Sequence, residues 1–327
     1  MCVCTRGVQL SMKTSISIVI PLYNKVRHIA RAINSVLAQN YAVFELIVVD
    51  DGSTDDSGDV VRQIIDPRLR LIVQANGGEC AARNRGIQEA QHELIAFLDA
   101  DDEWLPTFLE TVVGLRDRYP QAGMYAAAYR YCEGQRTWRP HFRHVTINPL
   151  GELLEDYFRT AIKCSPVTSS SVMIPKHVFN EIGLFPVGIR RGGDLHMWSR
   201  IALRYRVAWS PSDGAVYHLS SENRACSVVS LNPDVGAAAA IEEFFASGQA
   251  PISPRRDVEE YLVSLRLTHA MACYLRGRRT WTRELLAKTS GTRMFKRQRR
   301  RLLWLARLPP ALARLALKLR ASYGRRR

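Results

Sequence analysis

Apolar and polar positions in the first hundred residues follow two alternating rhythms. Four short β-branched or apolar runs read as strands: 15–20 (SISIVI), 44–49 (FELIVV), 71–73 and 93–98 (ELIAFL). Each stops at a break: Pro21, Asp50-Asp51-Gly52, the stretch near Asn76-Gly77-Gly78, and Asp99. Between them, 26–37, 54–65 and 79–90 carry helical spacing, with Ser53 and Asp56 predicted to cap the second helix. Strands alternating with helices predict crossover connections and a parallel sheet covered on both faces. Ligands in such sheets bind at the carboxyl ends of the strands.

Further along, 106–119 reads as a helix, 120–230 as mixed aromatic strands and loops, and 165–174 as a buried strand with its approach. Residues 194–203 read as a helix packed through Leu195, Trp198, Ile201 and Ala202. Beyond Pro233 the pattern is helical, at 235–246, 258–275 and 281–287. From 302 to 319 apolar residues interleave with Arg and Lys, and Pro309-Pro310 interrupts them.

Charge changes the picture at one end only. The 327 residues carry 46 Lys+Arg against 31 Asp+Glu, but residues 293–327 hold 13 of the basic residues and no acidic one. The remaining body has 33 basic and 31 acidic residues and is close to neutral, so 13 of the net +15 charges belong to the tail. This argues against a nucleic-acid-binding fold. Seven scattered cysteines with no C-x-x-C argue against a disulfide scaffold or zinc module and for a reducing compartment. Residues 1–14 lack the apolar run of a signal peptide and read as a disordered leader, with Met12 an alternative start. No window of 18 uncharged apolar residues predicts a transmembrane helix.

Acidic residues cluster at two strand ends, Asp50-Asp51 and Asp99-Ala100-Asp101-Asp102. Carboxylates crowded at a sheet mouth repel each other unless a cation neutralises them. A hard divalent cation with oxygen ligands, shared with a phosphate, suits that chemistry. Helix capping and turn formation are the competing explanation.

SIVIPLYNK, VVDDGSTDD, NGGECAARNRGI and FLDADDEW occur in this order, followed by IPKHVFNEIGLFPVGIRRGGDLHMWSRIAL. Over residues 15–220 the chain resembles the family-2 glycosyltransferases. The resemblance implies an α/β fold of GT-A type: a Rossmann-like, mostly parallel sheet with helices on both faces, followed here by a helical, basic C-terminal region. The implied organisation is a domain over 15–230, with a nucleotide-sugar half (15–105) and an acceptor half (106–230), then a helical region over 231–327.

The resemblance also implies roles. Tyr23 would line the nucleobase pocket and Asp51 would accept a hydrogen bond from the uracil imide. Arg83, next to Asn84, would face the nucleotide diphosphate, and Asp99 would hold the ribose. Asp101 or Asp102 would coordinate Mn²⁺ or Mg²⁺, with His218 a further candidate ligand and Arg224 a candidate phosphate contact. Trp104 would pack beside this loop, and His196 would border the acceptor or pack. Asp194 matches the catalytic base, but the commoner family form has Glu before it, where this chain has Gly193. The implied reaction is inverting transfer of a single sugar from a UDP-sugar to a saccharide or lipid-linked saccharide. A processive synthase is disfavoured by the absence of Q-x-x-R-W and of membrane helices. The alternatives are a sugar-phosphate nucleotidyltransferase, which usually has a Gly-rich loop after its first strand, and a non-enzymatic basic binding protein.

In the tail, Leu305, Leu308, Leu312, Leu315 and Leu319 share a helical face flanked by Arg307, Arg314, Lys318 and Arg320. With Trp304 they form a cationic amphipathic segment of the kind that lies on anionic membranes. The expected location is cytoplasmic, peripheral on the inner face of the cell membrane, with no nucleic-acid partner.

Overall fold

The computed structural model describes residues 14–189, 191–222 and 236–310. Its first third alternates β1 (Ile16–Leu22), α1 (Ile29–Leu37), β2 (Phe44–Asp50), α2 (Ser57–Arg62), β3 (Leu69–Val73), α3 (Glu79–Glu89) and β4 (Leu94–Phe97). Then come β5 (Glu103–Trp104), α4 (Phe108–Arg118), β6 (Met124–Glu133), β7 (Arg136–Trp138), β8 (Glu152–Leu153), α5 (Tyr157–Ala161), β9 (Val172–Pro175), α6 (Lys176–Ile182), α7 (Gly193–Arg204) and β10 (Val207–His218). Four helices follow: α8 (Ala237–Ala246), α9 (Arg255–Leu275), α10 (Arg279–Ala287) and α11 (Lys296–Leu305).

The strands form one sheet in the order β3-β2-β1-β4-β9-β6-β10-β5, with β7 beside β6 and β8 beside β10. β1, β2, β3 and β4 are parallel, as the crossovers require. β9 is antiparallel to both its neighbours, β4 and β6, and so joins the parallel strands β1–β4 to β6 and β10. β1 runs two residues past the predicted end. Its pairing with β4 stops at Val19, so Pro21 interrupts no ladder on that side.

Apolar residues of the two sheet faces form two large cores. One gathers α1 and α4 over Ile16, Ile18 and Ile20. The other gathers α3, α5, α6 and α7 over Val19, Ile47 and Phe97, and it continues into Ala237 and Ile241 of α8 and Val258 and Tyr261 of α9. The predicted Ser53–Asp56 cap does not form: Asp56 precedes α2 without a side-chain cap, and Asp55 instead accepts the Ser57 backbone N–H at 3.0 Å.

The tail differs from the expected pattern where it is described. Leu302 and Leu305 are buried, and Leu305 packs with Tyr274 of α9, whose hydroxyl donates to the Leu308 carbonyl at 3.0 Å. Trp304 is exposed, on a different side of α11 from the Leu305 face. Amphipathic spacing identified a buried face but not what covers it. Residues 311–327, with the rest of the leucine stripe, lie outside the described residues, as do Arg224 and 1–13. Among the described residues no helix is long and apolar enough to cross a membrane.

Candidate active site

Four strand ends and two helix starts build the site. After β1, Tyr23 is half exposed, and Asn24, at φ 51°, receives the Thr54 N–H on its side-chain oxygen at 2.7 Å. That bond ties the loops after β1 and β2 together. After β2, the buried Asp51 accepts from Gln74 Nε2 (2.7 Å), Gly77 N (2.9 Å) and Gly78 N (2.7 Å). The Asp51 carboxylate therefore shapes the 74–78 loop, and Oδ2 keeps a lone pair for one further donor.

That loop feeds α3, which the chain presses directly onto β1: a β-carbon at Gly86 would lie 2.2 Å from Val19 Cγ1. Asn84 faces away from the cleft and latches the segment before α7, through Asn84 Nδ2 to Phe185 O (2.8 Å) and Phe185 N to Asn84 Oδ1 (2.9 Å). Arg83 is 1% exposed, lies against the Phe185 ring and donates from Nη2 to both Glu79 and Asp99, the latter at 2.6 Å. Burial disfavours its charge, but the Glu79 and Asp99 carboxylates outweigh this and hold its pKa above the usual guanidinium value. The resemblance implies a place for Arg83 against the diphosphate; in the structure its side chain is buried and paired with Glu79 and Asp99.

The three aspartates after β4 have three different surroundings. Burial lifts Asp99 to about 7, with Glu79 and Asp101 adding to the lift and Arg83 opposing it. Asp101 accepts from Lys25 Nζ at 2.8 Å and Ser221 Oγ at 2.6 Å. Burial works against its charge, but Lys25 and the Ser221 hydrogen bond keep it below the usual carboxylate range. Asp102 is 1% exposed and uses both oxygens internally, for Ser170 Oγ (2.5 Å) and the His218 backbone N–H (2.9 Å). The His218 ring pairs with Glu103 at 3.1 Å rather than with Asp101 or Asp102. Trp104 is core, donating to the Ser170 carbonyl at 2.7 Å and packing on Phe108.

Asp194 lies in the first turn of α7. Burial and the Glu79 charge raise its pKa, against Arg83. Position 193 carries no side chain for a local reason: a β-carbon there would lie 2.3 Å from Cys80 Sγ. His196 is buried with no partner for Nδ1 among the described residues, and burial with the nearby Arg200 lowers its pKa to about 4.

The fold thus brings Asp99, Arg83 and Asp194 into one electrostatic group, with Asp101 at its edge and Asp51 under the adjoining loop. It turns Asp102 and the His218 ring into the sheet margin. The pattern of the sequence did not single out Lys25, Glu79 or Cys80. Their only signal was position: directly after the first strand, and at the start of the third helix.

Asp101 raises the proton affinity of both Asp99 and Asp102, and carboxylates crowded in this way fit a hard cation by donor chemistry. Among the described residues no three His, Cys, Asp or Glu side chains form a metal cage. The arrangement suits a cation held by one or two carboxylates and by substrate oxygens.

Comparison with known sequences adds the family. The sequence profile of glycosyl transferase family 2 matches residues 17–183. The chain belongs to this family. An uncharacterized glycosyltransferase of Rickettsia felis is 32% identical over 213 residues, 62% of this chain. This chain covers only 33% of the R. felis protein and 31% of a Nostoc relative, so it spans about a third of their lengths. The putative colanic acid biosynthesis glycosyl transferase WcaA of Escherichia coli is 30% identical, over 63% of this chain and 72% of its own length. Among solved structures, S. aureus TarS residues 1–349 with UDP-GlcNAc superposes with TM-score 0.65 at 18% identity, covering 84% of this chain and 82% of that one. The mannosyltransferase PcManGT of Pyrobaculum calidifontis with GDP-Man and Mn²⁺ gives 0.58 at 19% identity, covering 96% and 81%. These neighbours share the GT-A-type fold of this family member.

Proposed function

We propose that this protein is an inverting glycosyltransferase that moves one sugar from a nucleotide-sugar, UDP-linked by preference, to a hydroxyl of a saccharide or lipid-linked saccharide in cell-surface polysaccharide synthesis. The observation that carries this reading is the meeting of Asp99 and Arg83 from the nucleotide half with Asp194 from the acceptor half. Relatives named for colanic acid and teichuronic acid synthesis support the acceptor class. TarS with UDP-GlcNAc supports a UDP donor, although PcManGT binds GDP-Man.

In this reading Tyr23 lies along the base, and Asp51 offers its remaining lone pair to the uracil imide while holding the 74–78 loop. Asp99 takes the ribose hydroxyls, oriented by Arg83 from behind. Asp101, with Asp99 beside it, would hold Mn²⁺ or Mg²⁺, while Asp102 and His218 hold the loop in place. When bound, the cation supplies positive charge that neutralises the leaving diphosphate. Asp194 removes the acceptor proton as its oxygen attacks the anomeric carbon and the nucleoside diphosphate leaves. Its raised proton affinity makes it a stronger base than a solvated aspartate. Positioning and electrostatics carry the chemistry, and no covalent enzyme intermediate forms.

The basic C-terminal helix supports a second site of attachment. Trp304 and Leu303 are exposed on α11, among Arg297, Arg300 and Arg301. They favour an anionic membrane surface on the cytoplasmic side, where a lipid-linked acceptor is presented.

The deciding experiment is a screen of UDP-, GDP- and dTDP-sugars for sugar release and thermal shift, with and without Mn²⁺. Sugar release from one nucleotide class, lost in Asp194→Asn, supports the reading; no release from any of them contradicts it.

A further inference from the structure

Because β9 is antiparallel to both β4 and β6, and β10 is parallel to β6, the strands β6 and β10 run with β1–β4 and end at the same sheet edge. At that edge the His218 N–H at the end of β10 reaches Asp102 at 2.9 Å, and Val216 lies between Glu103 of β5 and Arg130 of β6. Arg130 therefore stands two strands from the aspartate loop. Side-chain alternation puts it on the sheet face of Ala126 and Ala128, the face that α7 covers. The register of β10 against β6 shifts on either side of Asp213, and this irregularity aims the Asp213 side chain at Arg130.

The Asp213 side chain is 3% exposed and takes two guanidinium groups, one from Arg130 and one from Arg139 just past β7, the latter at 2.8 Å. Both arginines use Nε for this contact. Among the described residues nothing hydrogen-bonds their terminal Nη atoms, and the two side chains are 45% and 55% exposed. One guanidinium suffices to neutralise a buried carboxylate, so the trio carries a surplus positive charge. On the opposite face Tyr131 packs against Trp138 and Tyr217, which fixes the β6–β7 hairpin that leads to Arg139. Residues 134–151 add Arg136 and Arg143 and contain no Asp or Glu. Two guanidinium forks held by their Nε atoms keep their outer edges for the oxygens of a phosphate or a carboxylate.

We propose that Arg130 and Arg139, aligned by Asp213, form an anion clamp that takes a phosphate or carboxylate group borne by the acceptor saccharide. Placing that anion on the acceptor rests on the transferase reading; the clamp itself does not. A charge held here positions a hydroxyl elsewhere on the same saccharide and selects against neutral acceptors.

The test is phenylglyoxal modification of the full-length protein, read residue by residue by peptide mass spectrometry, in phosphate, glucuronate, glucose, or UDP with Mn²⁺. In excess phosphate or glucuronate, modification of Arg130 and Arg139 should slow at least about fivefold, while Arg116 on α4 reacts as before. Protection by phosphate supports a phosphate-bearing acceptor, and protection by glucuronate alone supports a uronic-acid-bearing one. Glucose and UDP should protect neither arginine. In Asp213→Asn most of the protection should be lost, because nothing aligns the pair; should that variant not fold, the wild-type comparison decides alone. Absence of protection in both anions, equal protection by glucose, protection of the same two residues by UDP, or unchanged protection in Asp213→Asn overturns the proposal. The readout needs no sugar transfer, so protection without transferase activity contradicts only the transferase reading, and transfer without protection contradicts only the clamp.

Discussion

The Lys25 ammonium lies 2.8 Å from the Asp101 carboxylate, with side chains 11% and 17% exposed. This ion pair joins the loop after β1 to the loop after β4, across the mouth of the parallel sheet. It also places a protein cation at the aspartate proposed above to hold a metal ion. Lys25→Met should therefore tighten Mn²⁺ binding in the absence of nucleotide by roughly tenfold, about the size of one charge-assisted hydrogen bond. Without added cation the variant should lose about 1–3 kcal/mol of stability, because Asp101 is left unpaired. Calorimetric Mn²⁺ titration and urea unfolding check the two effects.

Asp102 is expected to be structural. Both its oxygens hold other loops, so Asp102→Ala should cost about 1–3 kcal/mol by stranding the Ser170 and His218 donors. Asp102→Asn should leave Mn²⁺ affinity within about twofold of wild type, a change under about 0.5 kcal/mol. A large loss of Mn²⁺ binding in the Asn variant would restore Asp102 as a ligand.

His196 gives the fold a pH dependence. Burial keeps its ring neutral, with a folded pKa of about 4 against an ordinary value of 6.5. A depressed base means that the unfolded chain binds the proton first as pH falls. Stability is then complete above pH 6.5 and declines between 6.5 and about 4. The loss over that window is on the order of 3 kcal/mol. The pH dependence of the urea midpoint should be shallower in His196→Gln than in the wild type over this range.

Gly86 tests the seat of α3. A methyl group there meets Val19 at 2.2 Å, so Gly86→Ala should push the helix off β1. The expected cost is about 1–3 kcal/mol, read as a lower urea midpoint.

The parallel half of the fold was legible because its signals are local. β-branched runs, strand-end aspartates and helical spacing located β1, β2, β4, α3 and α7 to within a few residues. β5 and β8 are two residues each and carry no periodicity to read. The antiparallel insertion of β9 between β4 and β6 is a pairing between distant segments, which no window of sequence contains. The same holds in the site. Asp51 and Asp99 stood out because acidic residues cluster at strand ends, whereas Asp194 was singled out only by the family resemblance. Lys25 was not, because its partner lies 76 residues away. Asp102 resembled its neighbours until Ser170 and the end of β10 took its two oxygens. Leu305 had the spacing of a surface stripe, and only the approach of Tyr274 turned it inward.

The most direct test is UDP binding by calorimetry in Mn²⁺, comparing wild type, Asp101→Asn and Asp194→Asn, alongside sugar release from UDP-GlcNAc. We expect Asp101→Asn to lose UDP affinity and Asp194→Asn to keep it while losing sugar release. Equal UDP binding by wild type and Asp101→Asn, or near wild-type sugar release by Asp194→Asn, would contradict a single cleft with the nucleotide on one side and the base on the other.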